Sequence, residues 1–229
     1  MLKSSGDPAW DFYDCDIQAA VNEYNRHLGR TPAYVLLDWQ IIKAMLWTES
    51  GAAAAQWKIK PMQIGVLGDP GMMSLLGDKE GGDLVMPPAL RARLTGGTIR
   101  TIPSHNIRGG IGYLLMRSAT YAHITVRVPG TTVEEVKVKQ RDNFDRIARN
   151  EHSTIATLRE LNPGVNVLQK GQVVKTQQAT VQKVITGWRP ITSSHIYEVY
   201  NGRRDKNYVR KLDFSLGLVR KGRSGVCAP

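Results

Sequence analysis

Glu49 is placed for acid–base chemistry by its spacing. Ile42, Met45, Leu46 and Glu49 are related by steps of three and four, so a helix through them puts all four on one face. A carboxyl at the end of an apolar stripe loses hydration on folding, which disfavours its charged form and raises its pKa. Such an acid can deliver a proton to a leaving oxygen near neutral pH, as cleavage of a glycosidic bond requires. Trp47 and Trp57 lie nearby in sequence and would deepen the apolar setting. Spacing alone leaves a solvated glutamate at a helix end as an open alternative. After Glu49 the next acid is Asp69, so no second carboxylate stands close in sequence for two-carboxylate hydrolysis.

Other reactive types are sparse. Cys15 and Cys227 lie near opposite ends, with no CxxC or Cys/His spacing. They permit one disulfide from the C-terminal tail to the first helix, or two free thiols. His105, His123, His152 and His195 show no ligand spacing and read as structural or exposed. Neither a metal site nor a cofactor is expected.

The elements that must position Glu49 read as follows. Asp14 to Leu28 has helical spacing, with Gly29 closing it. A second helix runs from about Pro32 or Asp38 to Thr48, and Gly51 breaks it. Residues 61–100 are rich in Gly, Pro and Met with little periodicity and read as a long binding loop. Asn106 to Thr120 is helical. The character changes at Val128-Pro129-Gly130, after which a β-α-α-β unit follows: a strand over Val133 to Val138, helices over Asp142 to Asn150 and Thr154 to Asn162, a turn at Asn162-Pro163-Gly164, and a strand at Gln172 to Lys175. Its apolar set is Val136, Val138, Phe144, Ile147, Ala148, Ile155, Leu158, Leu161 and Val173. Trp188 to Leu218 reads as helical, mixing aromatic and basic residues. The fold class is α+β, mainly α.

The β-α-α-β unit resembles a LysM module. Its run VKVKQRDNFDRIARNEHSTIATLRELNPGVNVLQKGQVVK has the family order: a strand, Asp-x-x-x-x-Ile-Ala, a helix ending Leu-Asn-Pro, and Leu-x-x-Gly-Gln-x-Val. Such modules bind N-acetylglucosamine-containing glycans. The resemblance implies a sugar site in the loop after Gln140 and near Asn162 to Val167, with Asp142, Asn162 and Asn166 as its residues. The family's usual Gly-Asp-Thr is here Arg141-Asp142-Asn143.

The flanks resemble the lysozyme-like catalytic domain of soluble lytic transglycosylases. AMLWTESG (44–51) is similar to the helix-ending Glu-Ser motif, PMQIG (61–65) to the Met-Gln-Ile motif, and NIRGGIGYLL (106–115) to Asn-Ile-x-x-Gly-x-x-Tyr-Leu. The fourth motif, Tyr-Asn-Gly, comes only after the LysM-like unit, in VYNGRRDKNYVRKL (199–212). That order implies a discontinuous catalytic domain, 1–127 with 180–229, and a LysM-like insert at 131–178. The resemblance implies Glu49 as catalytic acid and then base. Ser50 would orient it or contact the sugar. Met62, Gln63 and Tyr113 would line the groove, with Tyr200 packing near the carboxylate and Asn201 bonding an acetamido group. The implied reaction cleaves the bond between N-acetylmuramic acid and N-acetylglucosamine and leaves a 1,6-anhydro end. Alternatives are a muramidase with Asp69, Asp78 or Asp83 positioning water, and a non-catalytic wall-binding protein.

Composition limits the partners. The 229 residues are 41% hydrophobic and 22% charged, which excludes overall disorder and collagen. No apolar run reaches the roughly 20 residues of a membrane span. There are 31 basic against 20 acidic residues, a net charge of +11, densest from Arg203 through Arg223. A polyanion fits as partner: nucleic acid, acidic lipid or an anionic wall polymer, beside a merely solvated basic surface. No nucleic-acid motif appears, and peptidoglycan is itself anionic, so peptidoglycan strands are the expected partner. The start, Met1 to Pro8, has no signal-peptide h-region. A wall-cleaving enzyme without one implies action in the periplasm or cell wall after delivery by a dedicated secretion machine, or a phage or conjugation role. An antibacterial effector, matched by an inhibitor protein in the producing cell, is the favoured reading.

Overall fold

In the computed structural model, residues 7–66, 69–222 and 227 are described. The opening stretch Met1 to Gly6, and Arg223 of the basic group, lie outside them. The fold is mixed α+β with helix predominating. The chain divides into two compact units, 1–120 with 185–229, and 121–184.

In the first unit, α1 (Asp14–Leu28) carries Asp14 and Asp16 in its first turn and Arg26 and His27 in its last, which suits the helix dipole. It buries Ile17, Ala20, Val21, Tyr24 and Leu28. Helix α2 (Trp39–Glu49) starts where the Asp38 carboxylate accepts from the Gln40 N–H. Seven consecutive residues, 41–47, are buried, so α2 is enclosed on all sides rather than amphipathic. Lys43, 4% exposed, is held there by Asp11 and Asp14 at 2.5 and 2.7 Å. The helix ends where Gly51 takes φ +69°, a left-handed conformation that favours glycine.

Residues 61–100 do not form one long loop. They contain α3 (Pro70–Leu76), α4 (Gly82–Val85), α5 (Pro88–Arg91) and α6 (Gly96–Thr101). Each has at most two turns, too short to show a period, and the starts of α3 and α6 are set by caps: Asp69 before Pro70, and a Thr95/Thr98 capping box. Helix α7 (Pro103–Ser118) begins with Pro at its first turn and packs against α1, α3 and α6. Gly110 permits a close approach there, since a Cβ would stand 2.7 Å from Met62 Cβ and 2.8 Å from the Tyr200 hydroxyl.

The stretch from Trp188 to Leu218 is not one helix. It is α10 (Ser193–Val199) and α11 (Tyr208–Lys221), parted by residues 200–207, where Gly202 and Arg203 both have positive φ. Helix α11 buries Tyr208, Leu212, Ser215 and Val219 and packs on α2. Strands β1 (Ala119–Arg127) and β4 (Ala179–Trp188) pair with each other, and the chain passes between the units within them. The sequence reading missed both, because most of their residues are exposed or half-buried and no apolar alternation marks them.

In the second unit, β2 (Glu134–Lys137) and β3 (Val173–Thr176) are antiparallel, with Glu134 opposite Thr176 and Val136 opposite Val174. Helices α8 (Phe144–Asn150) and α9 (Ile155–Leu161) lie between them in sequence, capped by Asn143 and Thr154. The core is Val138, Ile147, Ala148, Leu158 and Val174, with Phe144 and Leu168 against it. Two expected core residues are corrected: Val173 is 54% exposed and Val174 points inward, a one-residue change of face along the strand, and Ile155 at the helix start is 38% exposed.

Cys15 and Cys227 form a disulfide, Cα–Cα 5.4 Å, closing a loop of 212 residues. So long a loop restricts the unfolded chain strongly, by up to about 5 kcal/mol in the chain-entropy picture. Reductant should therefore lower the melting temperature of the native protein measurably, and should leave a Cys15→Ser/Cys227→Ser double variant, already melting lower, unchanged. Equal melting of native protein with and without reductant would refute this.

Candidate active site

Glu49 ends α2, at the edge of the buried segment. The Tyr208 hydroxyl, from the first turn of α11, donates to Glu49 Oε1 at 2.6 Å. Among the described residues Oε2 has no hydrogen-bond partner, so one oxygen is fixed and the other is left for chemistry. Burial is the main influence on Glu49 and raises its pKa from 4.5 to about 7. The Tyr208 hydrogen bond and the positive field of Arg204 pull it part of the way back, and Asp205 pushes it up. Near pH 7 the group therefore exists in both protonation states, which suits a residue that gives a proton and takes one back.

The loop facing Glu49 is held by one buried side chain. Asn106 on α7 is fully buried. Its Oδ1 accepts from Met62 N, and its Nδ2 donates to the carbonyls of Ile64 and Ile99, all at 2.9 Å. Tyr200 OH donates to Met62 O at 2.7 Å. The segment between is thereby fixed, and Gln63 adopts φ +55°. Asp69 closes the far side: its two carboxylate oxygens accept from Gly65 N at 2.7 Å and Gly71 N at 2.8 Å. Tyr113 and Tyr200 meet edge to face, centroids 5.6 Å apart.

These groups surround a cavity of about 580 Å³ lined by Glu49, Gln63, Asp69, Tyr113, Tyr200, Asn201 and Arg204, among others. Of the residues expected from sequence, Glu49, Gln63, Tyr113, Tyr200 and Asn201 thus share one cavity. Ser50 and Met62 do not line it. Ser50 Oγ donates to Pro61 O at 2.9 Å and so ties the end of α2 to the loop rather than touching the glutamate side chain. Met62 is wholly buried, and its backbone carries the two hydrogen bonds above. Tyr200 packs near the carboxylate but spends its hydroxyl on Met62 O, and Asn201 Oδ1 accepts from Asp205 N at 3.0 Å. Asp78 and Asp83 lie outside the cavity lining.

Sequence reasoning missed Tyr208 and Arg204 as site residues, and placed Asp69 only in the alternative of a muramidase. Tyr208 carried a signal: with Leu212, Ser215 and Val219 it recurs at helical spacing on the buried face of α11. Arg204 is exposed, and among the described residues it has no ion pair. In the second unit, Asp142 Oδ2 accepts from Lys139 N at 2.8 Å. Asn162 is fully engaged: Nδ2 donates to the carbonyls of Leu158 and Lys175, and Oδ1 accepts from Lys175 N. It joins α9 to β3 and has no donor left for a sugar. Asn166 is exposed. Among the described residues no group of three or more His, Cys, Asp or Glu side chains could hold a metal ion, and no helix is long and apolar enough to cross a membrane.

Compared with protein-family models, with curated proteins and with solved structures, the chain has no match.

Two measurements check these electrostatics. A carboxyl whose pKa is raised by folding destabilises the native state once pH exceeds its unfolded value. Glu49→Gln should therefore melt higher than the native protein, with a difference that grows from about pH 4.5 and levels off above about pH 7, worth at most ~3 kcal/mol. A difference that is flat with pH would be inconsistent with a raised Glu49. Tyr208→Phe removes a hydrogen bond that favours the charged carboxylate, so the Glu49 carboxyl, followed by carbon-13 NMR, should titrate above about 7.

Proposed function

We propose that this chain is a peptidoglycan lytic transglycosylase. Residues 1–127 and 180–229 would make a discontinuous lysozyme-like catalytic domain, and 131–178 an inserted LysM-like glycan-binding module. The observation that carries the reading is a single available acid. Glu49 is held near pKa 7, while Asp69, among the described residues the one other carboxylate lining the cavity, accepts a backbone N–H at each oxygen.

In this reading Glu49, fixed through Oε1 by Tyr208, protonates the oxygen linking N-acetylmuramic acid C1 to N-acetylglucosamine. The C1–O bond breaks, and the substrate's own acetamido group stabilises the positive charge at C1. The Glu49 carboxylate then takes the proton of the muramyl C6 hydroxyl while O6 bonds to C1. Glu49 ends protonated, no water is consumed, and the product is a 1,6-anhydro end. The low-dielectric wall of Tyr113 and Tyr200 strengthens each polar contact within the cavity. Arg204 presents an exposed cation to an anionic polymer.

Hydrolysis of the same bond would need Asp69 to orient a water with the lone pairs that its two N–H partners leave. On the transglycosylase reading the chain acts in the periplasm or cell wall. As an antibacterial effector it would be matched by an inhibitor protein in the producing cell.

Digestion of purified sacculi, with mass spectrometry of the released fragments, should give anhydromuramyl ends. Reducing muramyl ends would replace this reading by hydrolysis. Glu49→Gln should lower the rate by at least about 10²–10⁴ while melting no lower than the native protein. Near-normal digestion by that variant would remove Glu49 from the mechanism.

A further inference from the structure

The second unit contains a cavity of about 300 Å³ where the start of β2, the turn between α8 and α9 and the end of β3 come together. Asp142, Asn162 and Asn166, the residues expected to bind glycan, do not line it. Glu134, Asn150, Glu151, His152, Thr176 and Gln177 do. Thr176 is 2% exposed, and its Oγ1 is buried without a hydrogen-bond partner. Gln177 donates from Nε2 to the Thr131 carbonyl at 2.7 Å, which fixes the amide and leaves Oε1 buried and unpartnered. Folded proteins leave few such atoms, because each has given up water for nothing. Here two consecutive residues do so beside one cavity.

The charges favour one kind of ligand. Among the described residues Glu134 and Glu151 have no ion pair, and no Lys or Arg lines the cavity, in a chain with 31 basic and 20 acidic residues. The cavity is rich in acceptors and net negative. Among the described residues no group of three or more His, Cys, Asp or Glu could hold a metal ion, so an organic cation fits better. We propose that this cavity binds a primary ammonium carried on a small unit with hydroxyl or amide groups, the ammonium pairing with Glu134 or Glu151 and a neighbouring O–H or N–H donating to Gln177 Oε1. The Thr176 hydroxyl would take a second polar group. The ligand class follows from the cavity alone. Only its origin in a wall polymer rests on the reading of Glu49. That polymer would supply the ammonium as a glucosamine lacking its acetyl group, or as the side-chain amine of a diamino acid in the stem peptide.

The test uses the full chain carrying Glu49→Gln, so that no glycan is cleaved, and calorimetric titration with three probes: a glucosamine trimer, an N-acetylglucosamine trimer, and a free stem tetrapeptide containing a diamino acid. Saturable binding of the glucosamine trimer or the tetrapeptide is expected, and which of them binds identifies the source. Affinity should fall about tenfold or more in Glu151→Gln and in Thr176→Val. Thr176→Val should melt no lower than its parent, because a methyl replaces an unpartnered buried hydroxyl, so its loss of binding would not reflect unfolding. Any binding of the acetylated trimer should be insensitive to both variants. The proposal is overturned if neither ammonium probe binds saturably, if both variants leave binding unchanged, or if both variants weaken the acetylated trimer equally. Cleavage of sacculi by the native protein is scored separately, so either reading can fail alone.

Discussion

The hydrogen bond from Tyr208 to Glu49 joins residues 159 apart in sequence, and it forms only because α11 packs along α2. That packing completes the enclosure of α2, whose residues 41–47 are all buried, and the same enclosure dehydrates the carboxyl at the helix end. The apolar contact that stabilises the first unit and the raised pKa of Glu49 thus have one origin. The tyrosine then moderates what burial does, by favouring the charged form. A dehydrated carboxyl with no such donor would lie further from neutrality and exchange its proton less evenly.

A second constraint holds the opposite wall. Asn106 satisfies the N–H of Met62 and the carbonyl of Ile64 in a segment without regular structure, and the carbonyl of Ile99 on α6, and Asp69 satisfies two more N–H groups. Buried loops are costly unless their backbone groups find partners. Here two short polar side chains provide them, which lets an irregular loop face Glu49 in a fixed shape. Gly110 belongs to the same arrangement, since any side chain there would displace Met62 and the Tyr200 hydroxyl together.

Much of this was legible in the sequence, for a physical reason that differs from place to place. Helices α1 and α7 have apolar stripes, α2 is apolar through most of its length, and all three have clear stops, so they could be read. Glu49 was legible because it continued the stripe of Ile42, Met45 and Leu46. The short helices between 70 and 101 were not, since one or two turns set by caps leave no period. Strands β1 and β4 were not, because exposure on both faces erases alternation. The roles of Ser50, Met62 and Asn162 were misjudged for a common reason: a polar or soft side chain near a site reads the same in sequence whether it meets a ligand or the backbone, and all three are occupied within the protein. The helical spacing of Tyr208 with Leu212, Ser215 and Val219 marks a buried face, but that its hydroxyl meets Glu49 is decided by tertiary packing alone.

The return of α11 to α2 has a consequence for biosynthesis. A ribosome releases Glu49 early and Tyr208 only after the whole of the second unit has been made. The nascent first 120 residues therefore hold α2 with one flank bare and the carboxyl more open to water. Contacts of this sequence separation carry a large loop-closure cost and form late in folding. The proton-exchanging form of Glu49 thus awaits the synthesis of α11.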